Sequence, residues 1–148
     1  LIQGVINASA ILLNQNEITL NFSQQEPLFA WADEFKVEEV VTNYLSNAIH
    51  HAEGEKRIDI RCVKKNDKVR VSVFNTGKPI PEEDVDNIWI KFYKVDKART
   101  REYGGSGIGL SIVQAIMDSF HQKCGVINHE DGVEFWFELE TNNGNFFS

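Results

Sequence analysis

Between residues 34 and 51 the apolar side chains fall at helical spacing, while the segments on either side of that stretch alternate at period two. Val37, Val40, Val41, Tyr44, Leu45, Ala48 and Ile49 share one stripe, so Glu34 to His51 is expected to be an amphipathic helix with Asp33 as its cap. Ahead of it, Glu17 to Phe22 reads as a half-buried strand and Leu28 to Ala32 as a short one. After it, Ile58, Ile60 and Cys62 alternate, Asn66-Asp67 marks a turn, and Val69, Val71 and Val73 alternate again, which is a β-hairpin. Pro81 followed by Glu82, Glu83 and Asp84 is a helix opening. Gly107 to Phe120 reads as a second long helix, with Ile108, Ile112, Ala115, Ile116 and Phe120 on one face. A final hairpin is expected from Lys123 to Glu140, turning at Glu130-Asp131-Gly132 with Val133, Phe135, Phe137 and Leu139 inward. Hairpins interrupted by helices exclude an all-helical or all-strand chain. They predict an α+β fold, a two-layer α/β sandwich whose mixed, mostly antiparallel sheet is covered on one face by helices.

The chain of 148 residues is long enough to bury a core of its own. Its 22 acidic residues outweigh 15 basic ones for a net charge of −7, which argues against a general nucleic-acid binder. No apolar run reaches membrane-span length and no signal segment opens the chain, so a soluble, cytosol-facing domain is expected. Cys62 and Cys124 are too few for a disulfide framework and lack metal-ligand spacing; Cys62 reads as a small buried hydrophobe. The opening stretch, Leu1 to Leu13, is apolar and predicts the tail of a helix that begins upstream, in a fragment of a longer protein.

Four features carry chemistry, each with a plainer alternative. Asn43, Asn47 and His50 share one face of the first long helix, with His51 beside them. That face is either solvated or aimed at a polar ligand, and a carboxamide oxygen there can coordinate a hard cation such as Mg²⁺. Asn75-Thr76-Gly77-Lys78-Pro79-Ile80-Pro81 follows a strand; it is a turn, or a preset backbone that places Asn75 and Ile80 against the edge of a flat ligand. Lys91 to Arg101 holds five basic residues and one Asp, with Phe92 and Tyr93 interleaved. It is a solvated loop, or a cationic lid over phosphates. Gly104-Gly105-Ser106-Gly107-Ile108-Gly109-Leu110 opens the second long helix, where backbone N–H groups favour anions, yet it matches neither the Walker A pattern nor G-x-G-x-x-G.

In this order the four features resemble the N, G1, F and G2 boxes of sensor histidine kinases, in their catalytic, ATP-binding domain. The resemblance spans roughly Ile11 to Thr141 and implies the Bergerat ATP-binding fold of the GHKL superfamily, with three helices on the sheet, shared with gyrase B, the Hsp90 chaperones and MutL. Val41-Thr42-Asn43-Tyr44-Leu45-Ser46-Asn47-Ala48 looks like the N box, Ile88 to Asp96 like the F box, and Gly105 to Ser111 like G2. The wording Phe-Tyr-Lys-Val-Asp-Lys-Ala-Arg and Asn-Thr-Gly-Lys-Pro-Ile-Pro looks like Gram-positive sensors of the vancomycin-resistance type.

The resemblance implies that Asn47 binds Mg²⁺ and Asn43 supports the phosphates of ATP. His50 stands where relatives usually carry Lys, and His51 where they carry Tyr; both are expected to reach phosphate or ribose. Asn75 replaces the aspartate that accepts from the adenine amino group, and Pro79 replaces the second G1 glycine. Gly77 shapes that turn, Ile80 is expected to pack on the base, and Phe92, Tyr93, Lys94 and Arg99 belong to the lid, the last three over the phosphates. Gly105, Ser106, Gly107, Ile108, Gly109 and Leu110 are expected to wrap the β and γ phosphates. At the position of Asn43, gyrase-like relatives carry a glutamate as general base, and asparagine cannot accept that proton.

None of His50, His51, His121 and His129 sits in an acceptor-helix pattern. The expected activity is therefore ATP·Mg²⁺-dependent phosphoryl transfer to a histidine on a separate dimerisation and acceptor domain, with a response regulator downstream. The resemblance divides the chain into 1–12, the tail of a dimerisation helix or linker, 13–141, the catalytic domain, and 142–148, a C-terminal tail. It implies a cytoplasmic domain of a membrane-anchored protein, itself touching neither membrane nor nucleic acid. The alternative is a non-catalytic ATP-sensing module of the same fold.

Overall fold

The computed structural model describes residues 1–24, 30, 32–93 and 109–141. Two short helices open it, α1 (Ile2–Ala8) and α2 (Ala10–Gln15), divided at Ser9. The apolar opening stretch is thus helical but broken, and it turns Val5 and Leu13 into the core. Strand β1 (Thr19–Gln24) starts two residues later than expected. Glu17 adopts φ 56° and the Ile18 N–H donates to the Leu13 carbonyl, so both residues close α2 rather than extend the sheet. The strand expected at 28–32 lies outside the described residues except for Ala32 and for Ala30, which bridges to Thr141.

Helix α3 (Glu34–His51) has the bounds its periodicity predicts. The Asp33 carboxylate accepts from the N–H groups of Phe35 at 3.0 Å and Lys36 at 3.2 Å, satisfying donors that the first turn leaves open. Strands β2 (Arg57–Lys65) and β3 (Lys68–Thr76) form the first hairpin. A single 3-10 turn, Glu82–Asp84, is all that follows Pro81. Helix α4 (Gly109–Ser119) and the hairpin β4 (Cys124–His129) and β5 (Gly132–Glu140) complete the order.

The five strands run β1-β2-β3-β5-β4, antiparallel except for the parallel pair β1 and β2, whose crossover contains α3. This is the mixed, mostly antiparallel sheet of the expected α+β sandwich. Inward residues of β2, β3 and β5 meet α3 and α4. Tyr44, fully buried, packs its ring 5.4 Å from Phe135 and 6.0 Å from Phe137, and its hydroxyl donates to the Trp136 carbonyl at 2.9 Å. A buried phenol with a partner ties α3 to the middle of the sheet. The opposite face of the sheet carries cross-strand charge and aromatic pairs. Arg70 bonds Glu138 at 2.9 Å and lies 3.9 Å over Trp136.

Helix α4 keeps part of the expected stripe and turns it. Ile116 is buried and Ile112 and Phe120 pack half-buried against the core as expected, but Ala115 is exposed, and Val113 and Met117 are buried instead. Apolar residues occupy several phases of this helix, so periodicity leaves the face open, and contact with α3 selects it. Cys62 is buried as expected, and burial pushes its thiol up to about 11. Among the described residues, no helix is long and apolar enough to cross a membrane.

Candidate functional site

The asparagine face of α3 lies beside its buried stripe. Asn43 and Asn47 are half-buried, and His50 and His51 are exposed in the last turn. Asn43 Nδ2 donates to the Glu39 carbonyl one turn back at 2.9 Å, which leaves Oδ1 pointing onward. There it meets the start of α4: a Cβ placed on Gly109 would stand 2.9 Å from Asn43 Oδ1. Only a glycine lets the two helices approach this closely with Asn43 in place. Leu110 packs against the core one residue on. Sequence positions 66 residues apart, predicted as one phosphate site, are therefore adjacent.

At the other end of α3 the strand turn closes in. Asn75 is 2% exposed, paired across the sheet with Ile58 and Val133, and its Nδ2 donates to the Thr76 carbonyl at 3.1 Å. Gly77 takes φ 147°, and a Cβ there would lie 2.9 Å from the His51 carbonyl oxygen and 3.6 Å from Asn75 Nδ2. The Glu53 N–H donates to the Thr76 carbonyl and the Thr76 hydroxyl to the Glu53 carbonyl, both at 2.9 Å, so the helix end and the strand end are laced together. Beyond that bond the Asn75 carboxamide has an Oδ1 acceptor and a second N–H, a pair that could meet the edge of a flat heterocycle. Ile80 sits past the turn, half-buried and packed against the core, with its backbone held by Asn128.

The Phe-Tyr segment is anchored by its neighbours. Ile88 is buried, and Trp89 meets Phe135 edge-on at 5.9 Å. The Tyr93 hydroxyl donates to the Asp84 carboxylate, and that bond raises its pKa. A phosphate contact by Tyr93 would require exchanging this partner. Phe92 takes φ 67° and is 62% exposed, with Lys91 Nζ 5.2 Å over its ring. Lys94, Arg99, Gly105, Ser106, Gly107 and Ile108 lie outside the described residues.

Among the described residues, no group of three or more His, Cys, Asp or Glu side chains is placed to hold a metal ion. The half-buried Asn47 carboxamide carries a hard oxygen donor of the kind Mg²⁺ accepts, so its chemistry fits that ion. Sequence reasoning missed Asp84, Thr76 and Asn128. For Asn128 a signal existed, because it occupies an inward position of its strand, where an amide needs partners.

Comparison with known proteins identifies the family of the fold that carries these residues. Residues 32–143 match the family described as "Histidine kinase-, DNA gyrase B-, and HSP90-like ATPase". The sensor protein kinase WalK of Staphylococcus epidermidis is 39% identical over 98 residues, covering 64% of this chain and 16% of WalK. Sensor protein VanSB of Enterococcus faecalis is 33% identical over 103 residues, covering 70% of this chain and 23% of VanSB. The chain thus spans less than a quarter of the length of either relative. Among solved structures, the nucleotide-free catalytic domain of histidine kinase ThkA superposes with a TM-score of 0.83 at 31% identity, covering 94% of this chain and 89% of that one. ThkA in complex with the response regulator protein TrrA gives 0.80 at 29% identity, covering 97% and 40%. By the span of that family match, with its asparagine helix and glycine helix start brought together, the chain belongs to the histidine kinase-, DNA gyrase B- and HSP90-like ATPase family.

Proposed function

We propose that the chain is the ATP·Mg²⁺-binding catalytic domain of a two-component sensor histidine kinase, passing the γ-phosphoryl group to a histidine on a separate dimerisation and acceptor domain. The observation that carries the reading is Asn43 against Gly109. In an ATP hydrolase the group facing the γ-phosphate must take a proton from water, and a carboxamide has no basic site for it. A pocket built this way binds and orients ATP and leaves the nucleophile to another domain. In the transfer, an acceptor imidazole nitrogen bonds to the γ-phosphorus, the bond to the β–γ bridging oxygen breaks, ADP leaves, and the imidazole gives up its proton.

The chain's own residues divide the work. Asn75 Oδ1 accepts from the adenine amino group and Ile80 packs on the base. Asn43 and the backbone N–H groups of Gly105, Gly107 and Gly109 meet the phosphates, and Lys94 and Arg99 add positive charge over them. His50 and His51 reach toward phosphate or ribose from the last turn of α3. Mg²⁺, when bound, spreads the charge of the triphosphate, and Asn47 is the residue that would hold it. The response regulator complex of ThkA supports a response regulator as the downstream partner. WalK and VanSB support a sensor protein around this domain, which we place on the cytoplasmic side of a membrane-anchored chain.

Purified acceptor domain incubated with this chain and γ-labelled ATP is expected to take up the label. Tight ATP binding with an unlabelled acceptor would make the chain an ATP-sensing module instead. Asn47→Asp, which brings a full negative charge to the metal position, is expected to change the order of Mg²⁺ and Mn²⁺ in supporting ATP binding. An unchanged Mg²⁺ dependence would remove Asn47 from the metal site.

A further inference from the structure

Of the three backbone nitrogens in Pro79-Ile80-Pro81, only that of Ile80 carries a hydrogen. It donates to Asn128 Oδ1 at 2.9 Å, and Asn128 Nδ2 donates back to the Ile80 carbonyl at 2.8 Å. One side chain thus makes both bonds of an antiparallel ladder rung, as if a further strand residue paired with Ile80. Asn128 stands on β4 in the same inward phase as Val126. Three residues further along, the Asp131 carbonyl accepts from the Gly77 N–H at 3.0 Å. The loop from Gly77 to Ile80 is therefore fastened at two points to β4 and its turn. Lys78 and Ile80 each precede a proline and are confined to extended backbone, so the loop has little freedom between those points.

We infer that Asn128 is a positioning residue for adenine recognition: it sets the height and orientation of Ile80 relative to the buried Asn75. The inference rests on the function proposed above, in which Asn75 reads the base edge and Ile80 packs on its face. Nothing in the rung bears on the phosphates, which the Asn43 and Gly109 contact serves. Breaking it should erode discrimination between bases while sparing the affinity that all nucleoside triphosphates share.

The experiment measures ATP and GTP binding by calorimetry for the wild-type chain, Asn128→Asp and Asn128→Ser, at pH 7.5. An ionised carboxylate still accepts from Ile80 N–H but faces the Ile80 carbonyl without a proton to give. For Asn128→Asp the ratio of ATP to GTP affinity is expected to fall about tenfold at pH 7.5, the size of losing one good hydrogen bond and leaving its acceptor facing a charge. Asn128→Ser keeps one of the two bonds and is expected to show a smaller loss; it decides the matter if Asn128→Asp does not fold. Equal losses for ATP and GTP, or an unchanged ratio, would reduce Asn128 to a structural role and overturn the inference. A wild-type chain that binds ATP no better than GTP would overturn the adenine reading and this inference with it.

Discussion

Gly109→Ala is expected to lower ATP affinity at least tenfold while leaving thermal stability unchanged or slightly raised. An alanine at the first position of α4 has no backbone objection, since helix propensity favours it over glycine by up to about 1 kcal/mol. The obstacle is a single side chain: the new methyl group would stand 2.9 Å from Asn43 Oδ1, closer than carbon and oxygen tolerate. Asn43 must swing, and in doing so it gives up its bond to the Glu39 carbonyl, a loss of about 1 kcal/mol. The site would then lose both the asparagine orientation and the bare backbone at the helix start. Calorimetry and a thermal melt on the same sample check both halves. Full ATP affinity would show that this contact only packs two helices. A midpoint lowered by many degrees would mark the position as structural.

Gly132→Ala is expected to destabilise the whole domain, by about 3 kcal/mol at the upper end of overpacking costs. Gly132 opens β5 opposite Thr76, at the point where the two hairpins meet. A methyl group there would overlap the Asn75 carbonyl oxygen and lie 2.7 Å from Phe74 Cζ. Neither neighbour can yield cheaply, because one is backbone in mid-sheet. The other is a ring that meets His129 edge-on at 5.6 Å and has Arg57 over it at 5.6 Å. Relief would come by displacing the end of β3, and Asn75 with it. A urea titration should therefore show the loss, with a thermal midpoint lower by roughly 6–12 °C for a domain of this size. ATP binding should weaken in parallel. A change below about 1 kcal/mol would mean that β5 can shift at this end, and that Asn75 is less firmly set than its burial implies.

Gly109 and Gly132 differ in how far the sequence explains them. Gly109 belongs to a glycine-rich helix start that is visible in the sequence, whereas Gly132 reads only as a turn residue. The same division runs through the molecule. The bounds of α3, its Asp33 cap and the turns at Asn66-Asp67 and Glu130-Asp131-Gly132 are local matters of period, capping and turn chemistry, so they were legible. The order of the four boxes was legible too, because each is a short run of residues.

What was not legible depends on partners far along the chain. Helix α4 is apolar in several phases, and only its contact with α3 selects Val113 over Ala115 as a core residue. Pro81 and three acids promise a helix, but the loop is held to β4 through Ile80 and the helical segment shrinks to one turn at Glu82–Asp84. Tyr93 reads as a lid residue until Asp84 is seen to take its hydroxyl. The inward phase of Asn128 signals that its amide needs partners, but which partners it takes is set only because β4 passes beside a loop 48 residues earlier. By itself the sequence determined the family, the long helix α3 and both hairpins. The tertiary structure alone decided how strands order across the sheet, which face of α4 is buried, and which side chains hold the site residues in place. Periodicity and turn chemistry act over a few residues, whereas packing and hydrogen bonding between distant segments are fixed only when the whole chain closes on its core.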